Sequence, residues 1–453
     1  MKLVAVRKSH LDMNKIKNPI FAAAQQAARR RLRMNTQRHP LHRLVIPCLA
    51  AFAITASLWA QAGTGSTGVN PDSAVAAASQ SRARDSGNIQ TTDYMVPHIS
   101  TVPAILGKRV ELFVREKVEV RRRGKAPVVL MIQGATVSVV PAFDLQFENY
   151  SWMEYLANAG FDVFAMDVTG YGLSPRPTMS DPCNNSAADQ QAYLIPKPLA
   201  LPCSPSYPFQ LTSLLTDWDE IDRVVDYLRQ VRNVDKVSLV GWSRGGNRAA
   251  GYATRHPEKV ERLFLYAPGR YLRLNPSDPP NPPAAGVPST VVGSADLFKT
   301  WDINGGTAAP FTGTCANQFT PAIRPVIAST QLDFEPLGSE WGTAGVRRSP
   351  LFPSCCWNAK FATQLTVPTL IIRGDLDTAV PLGDILDLLG DLVAVPQKVF
   401  VHVECASHYL LWENQHMSLL DASVEWLSEG TYNGQFNGTF SVDTAGQVHK
   451  AVF

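Results

Sequence analysis

From Leu106 onward the chain alternates between two hydrophobic rhythms. KRVELFVREKVEVRRRG (108–124) switches between apolar and polar positions, which predicts one or two antiparallel strands. APVVLMIQGAT (126–136) is a continuous apolar run ending at glycine, the pattern of a strand covered on both faces of a parallel sheet. NYSWMEYLANAG (149–160) has helical spacing and a glycine stop, and FDVFAMDVTGYG (161–172) is a second buried strand running into a turn. The alternation continues: an amphipathic helix (213–233), a strand (236–243), a helix closed by Pro257 and a strand (260–268). After a gap come a strand (365–375), a helix (382–392), a strand (397–405) and a last helix (409–428). Strand–helix alternation at this density predicts an α/β class: a mostly parallel, twisted sheet with helices on both faces.

Several stretches break the rhythm. Residues 63–95 are rich in Gly, Ser, Ala and Thr and read as a flexible linker. Residues 178–210 hold two cysteines and many Pro and Asn, and read as a long surface loop. Residues 270–360 open with NPSDPPNPPAAGVP and are too long for an ordinary connection. They are expected to form a lid over the carboxyl edge of the sheet, the alternative being a small separate domain. The polar, Gly-rich tail 429–453 receives no role, and no internal repeats appear. The main domain is therefore expected to span 96–453, with the lid at about 270–360.

Charge separates the start of the chain from its body. Residues 1–43 carry a net charge of +10, residues 44–62 carry none, and the remainder is net −7. A mildly acidic body gives no electrostatic reason to expect nucleic acid as a partner. The basic start precedes the apolar run Leu44–Ala60 and the small-x-small site Ala60-Gln61-Ala62, the layout of a signal peptide. Residues 1–62 are thus read as a leader, with Met34 as an alternative start. The protein is expected to be exported, periplasmic or secreted, without a stable membrane span once the leader is cleaved. Six cysteines follow the leader, and an even number in an exported chain implies up to three disulfides. Cys183 and Cys203 share one loop and are the expected pair. No CxxC, HExxH or comparable cluster appears, so neither a metal nor another cofactor is expected.

The chemistry gathers at strand ends. Gly241-Trp242-Ser243-Arg244-Gly245 is a G-x-S-x-G with a buried strand before it and a helix after it, the setting of a nucleophile held on a sharp turn. A serine hydroxyl needs a base to take its proton, and the base needs an acid to orient it. GDLDTAVP follows the next buried strand but one and offers Asp377 as the acid, with Asp375 as its rival. His408 follows the last apolar strand in a short loop and is the candidate base; His402 lies inside that strand and His416 two turns into the next helix. An oxyanion hole would draw on the backbone N–H of Arg244 and on that of Ala135, beside Thr136, in the turn after the 128–132 strand.

These residues together resemble the α/β-hydrolase superfamily. The resemblance covers about residues 105–428 apart from the two insertions, and is carried by GWSRGG, QGA, DVTGYGLS, GDLDTAVP and CASHYLLW. It implies an α/β-hydrolase fold and a triad of Ser243, Asp377 and His408. One departure is Gln133-Gly134, where many members carry His-Gly. The serine also argues against the epoxide-hydrolase and dehalogenase branches, which commonly use aspartate there.

The expected function is a serine hydrolase cleaving a carboxylic ester of a small-molecule acyl substrate. A lactonase, an amidase or peptidase, a cofactor-free haloperoxidase and a non-catalytic binding protein on the same fold are the alternatives. Trp242 and Gln133 are the candidate substrate-binding residues. Trp242, Phe143, Tyr171, Trp301 and Trp341 read either as an apolar pocket or as core. Oligomeric state is left open.

Overall fold

The computed structural model describes residues 88–269, 271, 273, 284–304, 315–351 and 357–453. The expected leader, most of the expected linker, and Cys48, Cys355 and Cys356 lie outside the described residues.

Ten strands form one sheet. In chain order they are β1 (Ile89–Ile99), β2 (Arg109–Glu119), β3 (Val128–Ile132), β4 (Asp162–Met166), β5 (Val237–Trp242), β6 (Val260–Tyr266), then β9 (Thr369–Gly374), β10 (Lys398–Val403), β11 (Gly438–Val442) and β12 (Val448–Lys450); β7 (Ser289–Gly293) and β8 (Val346–Pro350) pair separately. The sheet order is β1-β2-β4-β3-β5-β6-β9-β10-β11-β12. All pairings from β4 to β11 are parallel, and the two ends of the sheet are closed by antiparallel strands. β3, β4, β5 and β9 are buried along their whole length, as their unbroken apolar runs require.

The helices used below are α1 (Val139–Phe143), α2 (Trp152–Asn158), α3 (Leu214–Arg232), α4 (Arg244–Arg255), α5 (Lys299–Asn304), α6 (Ile323–Asp333), α7 (Leu382–Asp391) and α8 (His416–Glu429). Two apolar clusters pack on opposite faces of the sheet, one with α2 and α8, the other with α3, α4 and α7. α3 shows why its boundaries fall where they do. Ser213 and Thr216 close a capping box at its start, and Asn233 ends it in the left-handed conformation.

The structure corrects the sequence reading at the start of the domain and gives its tail a place in the sheet. Residues 89–95 belong to β1, not to a linker: β1 pairs with the full length of β2 and buries Val96 and His98. Its Thr- and polar-rich outer face hid it. The 108–124 stretch makes a single strand followed by a short turn at Val120–Arg122. The tail is no appendage, because β11 extends the sheet beside β10 and β12 folds back on it.

The two insertions pack against each other. β7 and β8 form an antiparallel ribbon that buries Val291, Val346 and Trp341 against Leu194 of the 178–210 stretch. Thr290 Oγ1 also donates to Asp189 at 3.2 Å. A disulfide joins Cys183 to Cys203 inside that stretch. The described part of the 270–360 insertion touches the loop after β10 and strand β2. Trp301 packs on Tyr409 and Trp412, Phe334 on Phe113, and a second disulfide joins Cys315 to Cys405. We call these two insertions together the cap.

Candidate active site

β5 passes into α4 through Ser243, whose backbone sits at φ 53° and ψ −120°. A non-glycine residue there stores about 1–3 kcal/mol of strain. Three main-chain hydrogen bonds hold it. Ser243 N–H donates to Tyr266 O at 2.9 Å, and Ser243 O accepts from Gly246 N–H at 2.9 Å and Gly269 N–H at 2.7 Å. The flanking glycines are needed for space: a β-carbon at Gly241 would collide with the Gly245 carbonyl, and one at Gly245 with the Ile132 carbonyl. Thr136, Ala267 and Cys405 also have positive φ. With Ser243 they stand just past the ends of β3, β5, β6 and β10, so backbone strain gathers at the carboxyl edge.

Asp377 and His408 meet at that edge. His408 Nδ1 lies 2.9 Å from Asp377 Oδ2, and both side chains are buried. The other carboxylate oxygen, Oδ1, accepts from Ala379 N–H and Val380 N–H, both at 2.9 Å, which fixes the carboxylate in place. With Nδ1–H donating to a carboxylate, Nε2 carries the ring lone pair. The His408 carbonyl accepts from Tyr266 OH at 2.6 Å and from Trp242 Nε1–H at 3.2 Å. The loop carrying His408 is thereby tied to the ends of β5 and β6, with the Trp242 ring, one residue before Ser243, 5.9 Å from the imidazole.

The rival side chains are otherwise engaged. Asp375 Oδ1 accepts from Ala406 N–H at 3.3 Å and braces the turn. His402 Nε2 accepts from Arg373 at 2.9 Å, and burial with that cation pushes its pKa down to about 4. His416 bonds Glu413 O and Asn149 and stacks on Tyr150.

The turn after β3 lies against the serine: a β-carbon on Gly134 would be 3.3 Å from Ser243 Cβ. Arg248, fully buried on α4, reaches this turn. Its Nη1 donates to Gln133 O at 3.1 Å and more weakly to Gly134 O at 3.5 Å, while its Nε donates to Asp217 at 2.7 Å. In a trans peptide the C=O and N–H point opposite ways. A grip on the Gly134 carbonyl therefore aims the Ala135 N–H of the same peptide unit away from Arg248. Arg244 opens α4, where helical N–H groups point out of the helix end.

A family model described as the alpha/beta hydrolase fold matches residues 127–307. The chain has the α/β-hydrolase fold. Among curated proteins it is similar to the poly(3-hydroxyalkanoate) polymerase subunit PhaC of Allochromatium vinosum, 38% identical over 104 residues, and to that of Thiocystis violacea, 36% identical over 104 residues. Each match covers 20% of this chain, and the chain spans only 27% of the length of these relatives. Among solved structures it is similar to serine hydrolase CCSP0084 from Cycloclasticus zankles (13% identity, TM-score 0.45, 76% of this chain and 99% of that one). It is likewise similar to carboxylesterase CesB from Bacillus subtilis (15% identity, TM-score 0.43, 76% of this chain and 94% of that one).

Two expected substrate contacts are corrected. Gln133 is fully buried; its amide donates to Met166 O at 2.8 Å and accepts from Val168 N–H at 3.2 Å, clipping the end of β4 to the turn. Trp242 is buried against Tyr266, Tyr409 and Trp412 and supports the His408 loop. Phe143, Tyr171, Trp301 and Trp341 are buried too. Glu413 was not singled out in the sequence. Its buried carboxylate accepts from Ser407 N–H at 2.8 Å and from Trp301 Nε1–H at 2.9 Å, joining the His408 loop to the cap. Its only signal was an acid at the end of the apolar run Tyr409–Trp412. A groove of about 570 Å³ lined by Pro97, Asp219, Asp222 and Arg223 is away from these strand ends.

Proposed function

We propose that this α/β-hydrolase is a serine esterase. The observation that carries the reading is a strained Ser243 on a strand-to-helix turn, in the neighbourhood of a histidine held by a carboxylate at 2.9 Å. In this reading His408 Nε2 takes the proton from Ser243 Oγ as it attacks the ester carbonyl. The N–H groups of Arg244 and Ala135 stabilise the oxyanion. His408 then protonates the leaving alcohol, and water, activated by the same imidazole, hydrolyses the acyl-enzyme while Asp377 keeps the ring oriented. The two disulfides and the leader-like start support export of the chain.

The partial match to polyester polymerase subunits puts 3-hydroxyalkanoate esters on the substrate panel beside simple alkyl, aryl and lactone substrates. A folded Ser243→Ala protein is expected to lose about 10⁴-fold or more in kcat. A fluorophosphonate probe is expected to label Ser243 in the wild type. Retention of most activity by the folded variant overturns the reading.

A further inference from the structure

The backbone around His408 is held from two directions. Its carbonyl is tied to the sheet through Tyr266 and Trp242. Its two neighbours are tied to Glu413. Ser407 N–H donates to Glu413 Oε2 at 2.8 Å, and the Ser407 hydroxyl donates to Glu413 Oε1. The same hydroxyl oxygen accepts from Tyr409 N–H at 3.1 Å. One carboxylate thus governs the residues on both sides of the candidate base. Glu413 and Ser407 are fully buried, where a donor or acceptor stripped of its partner is costly.

The next donor to this carboxylate comes from the cap. Trp301 Nε1–H on α5 reaches Glu413 Oε1 at 2.9 Å, and the Trp301 ring packs on Tyr409 and Trp412. Asn414 donates its N–H to Gln318 O at 2.8 Å and its side-chain amide to Asn317 O at 2.5 Å. Cys405, three residues before His408, is bonded covalently to Cys315. The cap therefore grips the base loop on both sides of the histidine, by a disulfide before it and by hydrogen bonds after it. The Cys183–Cys203 disulfide, in contrast, closes a loop inside the other insertion. Displacing a catalytic group by 1 Å can cost about 10²-fold in rate, so whatever holds Ser407 and Tyr409 bears on the chemistry.

We propose that Glu413 is a positioning residue for His408, and that the cap sets it through the Trp301 hydrogen bond and the Cys315–Cys405 disulfide. This rests on the serine-esterase reading and deepens it. Glu413 acts through Ser407, and alignment of the base depends on a seated cap.

The test measures kcat and KM on a neutral 4-nitrophenyl ester. Glu413→Gln keeps the shape but turns an amide NH2 toward donors. It is expected to lower kcat by about 10²-fold with KM within about three-fold. Trp301→Phe keeps a ring and removes the cap's donor, and is expected to lower kcat by about ten-fold. Cys315→Ser/Cys405→Ser is expected to lower kcat by about ten-fold, and Cys183→Ser/Cys203→Ser to stay within about two-fold. A merely structural role would lower the unfolding midpoint and leave kcat per folded molecule intact. Wild-type kcat in a folded Glu413→Gln protein overturns the positioning role, and equal kcat in the two cysteine variants overturns the part given to the cap. Should Glu413→Gln fail to fold, Ser407→Ala removes the hydroxyl link and keeps the Ser407 N–H bond. A fall of about ten-fold in kcat is then expected, and wild-type kcat overturns the role. Should the Cys315/Cys405 variant fail to fold, Trp301→Phe decides the part given to the cap. If no ester turns over and Ser243 is not labelled, the esterase reading falls by itself. The low-field proton NMR signal of the His408 ring N–H held by Asp377, assigned by its absence in His408→Gln, then decides. Its shift or loss in Glu413→Gln supports the positioning role, and an unchanged signal overturns it.

Discussion

Two buried charge clusters flank the candidate site, and they are unbalanced in opposite senses. Beneath the elbow, acids are in excess: Asp217, Glu220 and Asp167 are gathered around Arg248, which pairs with Asp217 and two backbone carbonyls. In the cap, arginines are in excess: Arg176 and Arg348 pair with Glu335, whose charge also acts on Arg347. The difference matters because the two excesses relax differently. A buried carboxylate can take up a proton: burial raises Glu220 to about 8 and Asp167 to about 7. A buried guanidinium has no such exit near neutral pH. The cluster under the elbow can therefore shed its excess charge by taking up protons, while the cap cluster keeps its cations charged. Asp167 stands at the border, since its charge acts on both Arg248 and Arg176.

The hardest blow to the first half of that contrast is Asp217→Ala. It leaves Arg248 buried without its acid, and removing one partner of a buried pair costs about 3–5 kcal/mol. Urea unfolding should show a lower midpoint that, multiplied by a nearly unchanged slope, gives a loss of that size. A loss below about 1 kcal/mol would mean that Arg248 is held by its backbone contacts alone.

Arg248→Lys tests whether the same cluster positions the oxyanion turn. Lysine keeps the charge near Asp217 but loses the planar fork that also reaches Gln133 O and Gly134 O. If that grip aims the Ala135 N–H, the loss appears in the transition state. The expectation is a fall of about 10²-fold in kcat on a neutral ester with KM nearly unchanged, the size seen when one oxyanion donor is removed. A purely structural role would instead lower the unfolding midpoint and leave kcat per folded molecule intact.

What could be read from the chain follows the same divide. The elbow, the acid turn and the base loop are local: each is a short word after an apolar strand, so GWSRGG, GDLDTAVP and CASHYLLW could be found without knowing which strands are neighbours. The parallel core was legible because strands buried on both faces leave unbroken apolar runs. β1 was not, since an edge strand with one polar face looks like a linker, and β11 was hidden by the glycines around it. The cap cluster is non-local. Arg176 comes from a part of the chain distant from Glu335 and Arg347, and no local pattern marks a buried arginine as different from a surface one. Gln133 erred for a related reason: its place beside the oxyanion turn was right, but its amide is consumed by the backbone of β4.

The smallest effect is the one that separates the two clusters by their protons. Glu220 accepts from Thr169 N–H at 2.7 Å and from the Thr169 hydroxyl at 2.5 Å, yet burial dominates and raises its pKa from 4.5 to about 8. In the window between those values the folded chain holds a proton that the unfolded chain has released. Stability from this group is therefore fully present below about pH 4.5 and is lost as pH rises towards 8, by up to about 1.4 kcal/mol per pH unit. Asp167 adds to the same slope up to about pH 7. Glu220→Gln keeps an acceptor for the Thr169 N–H and removes the titration, so its unfolding free energy between pH 6 and 8 should fall less steeply than that of the wild type. The cap contributes nothing to this difference, because its arginines keep their protons across the whole window. Equal slopes for the two proteins would place the proton elsewhere than on Glu220.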